Sequence, residues 1–375
     1  MTFLYPQTRH PLIPQAHAPQ ADQLFANQIK EFRQTLFGTL QSKIKALSEK
    51  FAQAENQEIS YPHLRQELDR SAEIQAVHHQ RGVLQDRLWQ QVADEIEKDR
   101  DRLAAAFATY SQPQDTLELD PNLEIPAHQL KANIHRMPGG YLQDGGDADF
   151  WTGALYDHGV FLYGQGWLGS LNDELGHTVI HHVLAEHYPQ LKPHKILDMG
   201  CSVGHSTLPY VSAYPEAEIW AIDLSASLLR YAHARAHALG KTVHFSQQNA
   251  ENTKFATNSF DLVVSHILMH EIPCGARKKV FAESYRLLEA GGVMVHLDSK
   301  LFLSPPTPMA RYFRDTEVWA NSEPYLGSSR FEDFERYALE AGFKPENFKI
   351  HSVPGYYAAQ QGSENAGWAA FCAVK

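Results

Sequence analysis

From Lys195 onward, short β-rich runs alternate with helical stretches, and this alternation restricts the fold more than any other feature of the chain. The runs are KILDM, EIWAID, VHFSQ, FDLVVS, GVMVHLD, FKIHSV and WAAFCAV. Between most of them lie helical patterns: HSTLPYVSAY, SASLLRYAHARAHAL, ARKKVFAESYRLL and FEDFERYALEAG. Strands joined by helical crossovers pair in parallel, and the helices then cover both faces of the sheet. The last two runs have no helical pattern between them, so they are expected to form an antiparallel hairpin at one edge. The predicted fold class is α/β, a seven-stranded, mostly parallel sheet. In such a sheet a ligand binds beyond the carboxyl ends of the strands, where the strand order reverses.

Upstream, Phe25, Ile29, Phe32, Leu36, Leu40, Ile44, Leu47 and Phe51 recur at three- and four-residue steps, which predicts a long amphipathic helix tolerating Gly38. A shorter helix is expected near Pro62, a residue suited to a first helical turn. A third carries Leu88, Val92, Ile96, Leu103, Phe107 and Tyr110 on one stripe. Residues 1–110 thus read as an N-terminal helical domain, either a homodimer interface or a substrate cap. Residues 111–148, rich in Pro, Gly and Asp, read as a connector that either wraps the next domain or is solvated. Residues 149–375 hold the α/β domain, with a lid insertion at 302–330.

The whole of 375 residues carries a formal net charge of -11, which argues against a nucleic-acid partner. No run reaches the roughly 18 apolar residues of a membrane span. The proline-broken start lacks the apolar core of a signal peptide, and the three cysteines form no CxxC pair. A cytoplasmic protein without a membrane partner is the expectation. The 21 histidines invite a metal hypothesis, and Glu174, His177 and His181 share helical spacing. The glutamate lies outside the two histidines, unlike HExxH, so the stretch reads as a polar helix face and no metal is assigned.

The first strand ends in ILDMGCSVGHST, residues 196–207. A dinucleotide loop starting at Gly200 needs glycines at 202 and 205, where Ser202 and His205 stand, and no GK[ST] follows. Asp198 places an anion where a phosphate would be repelled. A cofactor that is cationic or hydroxyl-bearing, without phosphates, suits the loop better. With Gly204, this stretch resembles motif I of the class I S-adenosylmethionine-dependent methyltransferases. The second match is EIWAIDLSASLL, where Asp223, followed by Leu224, ends a strand and can accept both ribose hydroxyls. QQNAENTKF is similar to the segment that flanks the adenine, with Asn249 where an aspartate is common and Ala250 and Glu251 following. NSFDLVVSHILMHEIP and RLLEAGGVMVHLD match the fourth strand, its loop and the fifth strand. The resemblance covers about Asp149–Lys375.

It implies a Rossmann-like domain that binds S-adenosylmethionine, releases S-adenosylhomocysteine and methylates a small molecule. The cofactor-binding residues it implies are Asp198, Gly200, Cys201, Ser202, Gly204, Asp223, Leu224, Asn249, Ala250, Glu251, Ser265 and His266. ILMHEIP resembles the histidine–acid pair of phenolic O-methyltransferases, in which histidine deprotonates a hydroxyl. His270 is the candidate base and Glu271 its orienting acid, which puts O-methylation slightly ahead of N- or C-methylation. Rings that can cover the substrate are Trp151, Tyr156 and Tyr163 before the core, and Tyr312 and Trp319 in the lid. The fourth strand is followed by SHIL rather than an NPPY-like tetrapeptide, which counts against a nucleic-acid base as acceptor. A protein acceptor and a non-catalytic donor-binding scaffold are the remaining alternatives.

Overall fold

The seven strands expected from Lys195 onward are all present: β2 (Lys195–Met199), β3 (Glu218–Asp223), β4 (His244–Gln247), β5 (Phe260–His266), β6 (Leu288–Ser299), β7 (Phe348–Pro354) and β8 (Gly367–Val374). An eighth comes from the connector. Leu117–Glu118 forms β1 and pairs in parallel with β4, extending the sheet at that edge. The order is β1-β4-β3-β2-β5-β6-β8-β7, parallel except for β8, which is antiparallel to both β6 and β7. The order reverses between β2 and β5, which opens a crevice beyond their carboxyl ends. The computed structural model describes residues 6–15, 19–55, 59–112, 115–131, 133–303, 307–326, 331–362 and 367–375. Parts of the predicted lid, 304–306 and 327–330, lie outside the described residues.

Strands buried on both faces must be apolar at successive positions, and neighbouring residues then serve different layers. Ile196 packs with Val179, Val183 and Leu229 on one face, whereas Leu197 packs with Val263, Phe281 and Phe334 on the other. Four helices precede the sheet: α1 (Pro19–Glu55), α2 (Tyr61–Arg70), α3 (Ala72–Lys98) and α4 (Arg100–Tyr110). The stripe from Leu88 to Tyr110 is therefore two helices and not one. The chain breaks at Asp99, whose carboxylate accepts hydrogen bonds from Arg102 Nε at 3.0 and 2.9 Å. Within the α/β part the helices are α5 (Trp151–Tyr163), α6 (Glu174–Thr178), α7 (Ala185–His187), α8 (Leu208–Ala213), α9 (Ala226–Ala238), α10 (Cys274–Leu287), α11 (Pro308–Ala320), α12 (Phe331–Ala341) and α13 (Tyr356–Gln360). The last of these sits between β7 and β8, so the edge pair is antiparallel as expected but joined through a short helix.

The helical segment shares a core with the α/β part. Leu88, Trp89, Val92 and Phe107 pack with Leu155, Phe161, Leu228 and Tyr231. Gly159 allows the closest approach, since a Cβ there would lie 2.4 Å from the Trp89 ring. Asp157 of α5 binds this region with charge. Its carboxylate meets His10 Nε2 at 3.0 Å, His205 Nε2 at 2.7 Å and Arg235 Nε at 3.0 Å, and accepts from the Tyr231 hydroxyl at 3.1 Å. Burial alone would raise this carboxyl, but Arg235, His205 and His10 hold it well below the usual range.

Buried on β6, His296 lies between the Ser265 hydroxyl, 2.7 Å from Nδ1, and the Ser284 hydroxyl, 3.3 Å from Nε2. Burial, aided by neighbouring His266, lowers its pKa to about 3. An unfolded chain protonates a histidine near pH ~6.5. Between those values the unfolded state holds more protons, so stability falls as pH falls, by at most about 1.4 kcal/mol per pH unit from this group. Chemical denaturation at pH 7 and pH 5 is expected to show this loss, and His296→Gln to flatten it. An equal pH slope in the variant would remove His296 as its source.

Candidate active site

A cavity opens where the strand order reverses. The first turn after β2 forms its floor. Gly200 and Ser202 have φ of 77° and 46°, so the loop uses the left-handed region at both positions. Serine in place of the usual glycine is accommodated there at a backbone cost of about 1 kcal/mol. A Cβ at Gly200 would come within 3.0 Å of Leu268, so only glycine leaves this wall its shape. Asp223 closes the same end. Its carboxylate accepts the Ser202 N–H and the Ser225 N–H, each at 2.9 Å, one on each oxygen. Burial raises this carboxyl above its ordinary value. Each oxygen keeps a lone pair for a ligand hydroxyl.

Of the proposed cofactor residues, Gly200, Ser202, Asp223, Leu224, Asn249, Ala250, Glu251 and His266 line the cavity. Asp198, Cys201, Gly204 and Ser265 are not among the lining residues. Asp198 is only 1% exposed and lies behind the loop. Its two oxygens are used by the Thr207 hydroxyl at 2.6 Å and by His266 Nδ1 at 3.1 Å. The acid of the motif therefore braces the turn from within and does not itself line the cavity. Ser265 is likewise occupied with His296. Asn249 spends its carbonyl oxygen on the Glu251 N–H at 2.9 Å, which points to its amide nitrogen as the group for a base.

Among the proposed aromatic residues only Tyr156 lines this cavity, stacked at 5.9 Å on His205 and edge-on at 5.6 Å to Tyr141. Trp151 packs against the helical core. Tyr163 meets the His135 ring edge-on at 6.1 Å and lines a second cavity among α1 and α3. Tyr312 is buried, with its hydroxyl on Asp69, and Trp319 is exposed beside His78. The rest of the wall comes from a part of the chain that had suggested no site. His128, Gln129, His135, Tyr141 and Leu142 of the connector all line the cavity. Aromatic and histidine side chains inside the Pro- and Gly-rich stretch were the only signal available.

At the end of β5 a turn places Met269–Glu271 beneath this wall. His270 Nδ1 lies 2.7 Å from Asp298 Oδ1 on β6, and Asp298 also accepts the His270 N–H at 3.2 Å. Glu271 Oε1 is 3.6 Å from His270 Nε2 and 3.1 Å from His135 Nε2. Across the site His135 Nδ1 is 3.0 Å from Glu323 Oε1, in the segment after α11. Burial pulls both imidazoliums down, yet the adjacent carboxylates win. Asp298 and Glu271 lift His270 to about 9, while Glu323 and Glu271 lift His135 to about 9. Burial lifts Glu323 to about 7. The histidine-rich stretch considered from sequence does not gather in this way. Glu174 accepts the Tyr357 N–H at 2.9 Å, and His177 and His181 stack on Tyr356 at 4.8 and 4.7 Å.

The lining fits S-adenosylmethionine on its own chemistry. Among the described residues no Lys or Arg lines the cavity, and the His135 imidazolium there is already matched by Glu271 and Glu323, so a pyrophosphate would find little charge to meet it. Asp223, Glu251 and Glu271 instead give it an anionic wall, suited to a sulfonium and to ribose hydroxyls. Leu224, Ala250 and Ile272 supply apolar surface for a base.

Residues 196–292 match the family model described as a methyltransferase domain. The chain is 27% identical over 164 residues to the ubiquinone/menaquinone biosynthesis C-methyltransferase of Pasteurella multocida, covering 43% of this chain and 57% of that one. It is 30% identical over 123 residues to phosphoethanolamine N-methyltransferase 1 of Arabidopsis thaliana, covering 32% and 24%. Among solved structures, phosphoethanolamine N-methyltransferase 2 of Haemonchus contortus, with phosphomonomethylethanolamine and S-adenosylhomocysteine, aligns at 20% identity and a TM-score of 0.46, covering 58% of each chain. The chain spans from about a quarter to just over half the length of the curated relatives it matches. With its motif loop and its Asp223 wall on one mostly parallel sheet, the matched stretch 196–292 is an S-adenosylmethionine-dependent methyltransferase domain.

Proposed function

We propose that the chain transfers the methyl group of S-adenosylmethionine to a small-molecule acceptor, with an oxygen acceptor ahead of nitrogen or carbon. The observation that carries this reading is the layout of one cavity. Asp223 and Asn249 line it beside the loop, and Glu271 and His135 line it beside the turn that holds His270. When bound, the donor supplies an electrophilic methyl on a sulfonium, so the protein's task is mainly alignment and exclusion of water. Asp223 holds the ribose hydroxyls and the Asn249 amide holds the base. Tyr141, Tyr156 and Leu142 cover the reacting end against water. Asp298 orients His270, whose Nε2 points to Glu271 beside the space left for the acceptor. A nucleic-acid acceptor is disfavoured by the anionic lining and by the connector laid across it.

The helical segment reads as a substrate cap, since it grips α11 of the lid. Tyr61 and Arg65 both donate to Asp315, at 2.7 and 3.1 Å, and Arg81 pairs with Glu317 at 3.1 Å. Calorimetric titration with S-adenosylmethionine, followed by mass analysis of metabolite extracts treated with enzyme and labelled donor, tests the proposal. Absence of donor binding would sink it. His270→Ala is expected to lower turnover by about 100-fold or more while leaving donor affinity within a few-fold. Turnover near the original level would reduce His270 to a packing residue.

A further inference from the structure

The connector, the turn after β5 and the segment after α11 converge on one cluster. His135, His270, Glu271 and Glu323 each offer a ligand atom, and these atoms lie within 4.8 Å of one another. We propose that these four side chains form a binding site for a divalent transition-metal ion at the edge of the donor cavity. Ligands held about 2.1 Å from one ion lie roughly 3.0–3.4 Å apart when adjacent. The 3.1 Å contact of His135 Nε2 with Glu271 Oε1 has that spacing and the 3.6 Å contact of Glu271 Oε1 with His270 Nε2 is slightly wider, while Glu323 Oε1 lies 3.0 Å from the other ring nitrogen of His135, Nδ1.

Two further observations point to an ion rather than to ion pairs alone. Glu323 is 5% exposed, and its Oε2 is buried without a hydrogen-bond partner among the described residues, as is Oε2 of Glu271. Pairing with histidines leaves both oxygens unsatisfied, at a cost that an ion among them removes. In addition, Asp298 takes Nδ1 of His270 at 2.7 Å and so leaves Nε2 for the cluster. A carboxylate behind a histidine is the usual support of a ligating imidazole. The nearby cation, Arg81, is matched by Glu317 at 3.2 and 3.1 Å, so its charge is already answered.

Two imidazoles with two carboxylates suit zinc, iron(II) or manganese better than calcium or magnesium. Because His135 and Glu271 also line the donor cavity, the ion's remaining position faces the ligand space. This last point rests on the methyl-transfer reading, and implies an acceptor whose hydroxyl or amine can coordinate the ion.

The test uses the full chain, stripped with a chelator and titrated with Zn²⁺, with Co²⁺ absorption as a second probe of ligand geometry. One tight equivalent is expected, with a visible Co²⁺ spectrum of an imidazole–carboxylate site. Glu323→Gln should lower Zn²⁺ affinity sharply, and Asp298→Asn by about 10- to 100-fold. Circular dichroism confirms that each variant is folded, and His135→Asn serves if one is not. Absence of a tight equivalent, or affinity unchanged in the folded variants, would overturn the proposal. Asp223→Ala should leave Zn²⁺ binding intact while donor binding is lost, so the two proposals fail separately.

Discussion

Asp223→Ala is expected to weaken binding of S-adenosylhomocysteine by about 100- to 1000-fold, or roughly 3–4 kcal/mol. The estimate follows from the two hydroxyl hydrogen bonds that a carboxylate accepts from a ribose, each charge-assisted. The carboxylate also accepts the Ser202 and Ser225 N–H groups at 2.9 Å, so the loop loses part of its shape along with the ligand contact. Burial raises this carboxyl, meaning that its ionised form is held at a cost in the folded chain. A thermal scan of the ligand-free variant separates the loss of loop shape from the loss of the ligand contact. Calorimetry with the product avoids turnover during the measurement. Affinity within about threefold of the parent, less than 1 kcal/mol, would mean that the ribose is held elsewhere.

Asp157→Ala acts on the fold. Arg235 is 1% exposed, and Asp157 is the acid paired with its Nε at 3.0 Å. Breaking a buried pair by removing one partner costs about 3–5 kcal/mol, because the remaining charge stays out of water. The denaturation midpoint should drop accordingly, with Asp157→Asn intermediate. The carboxyl is depressed, so its contribution is fully present above the unfolded value near pH ~4 and is lost as pH falls through the folded value. The parent and the variant should thus converge only in strong acid. A midpoint shift equivalent to less than about 1 kcal/mol would show that water reaches Arg235 when the acid is gone.

The sheet was legible because its information is local. Apolar runs such as KILDM and FDLVVS, each followed by a helical pattern, imply parallel strands before any contact is known. The donor half of the cavity was legible for the same reason, since Gly200, Ser202 and Asp223 sit at strand ends. Asp198 shows the limit. An acid before a glycine turn looks alike whether it faces a ligand or a threonine, and only the Thr207 and His266 contacts distinguish the two. His135 and Glu323 lay beyond sequence reading altogether. They stand 188 positions apart, in segments with no periodicity, and meet only because α3 and α11 pack on each other. The eighth strand escaped for a similar reason, as a two-residue pairing leaves no pattern.

That short strand has a consequence in time. The connector runs from the two-residue ladder of β1 with β4 to the Arg136–Asp86 pair at 2.7 Å. Between them it is held by buried Ile134, by His135 on Glu271 and Glu323, and by the Gln129 amide on the Glu271 carbonyl. The two-residue ladder itself buries little apolar surface, so the β1 end of the segment can part from the sheet at a small fraction of the global unfolding free energy. Excursions of that kind occur in microseconds to milliseconds. Were spent donor to leave past this strand, the turnover number would report its opening whenever the methyl step is faster.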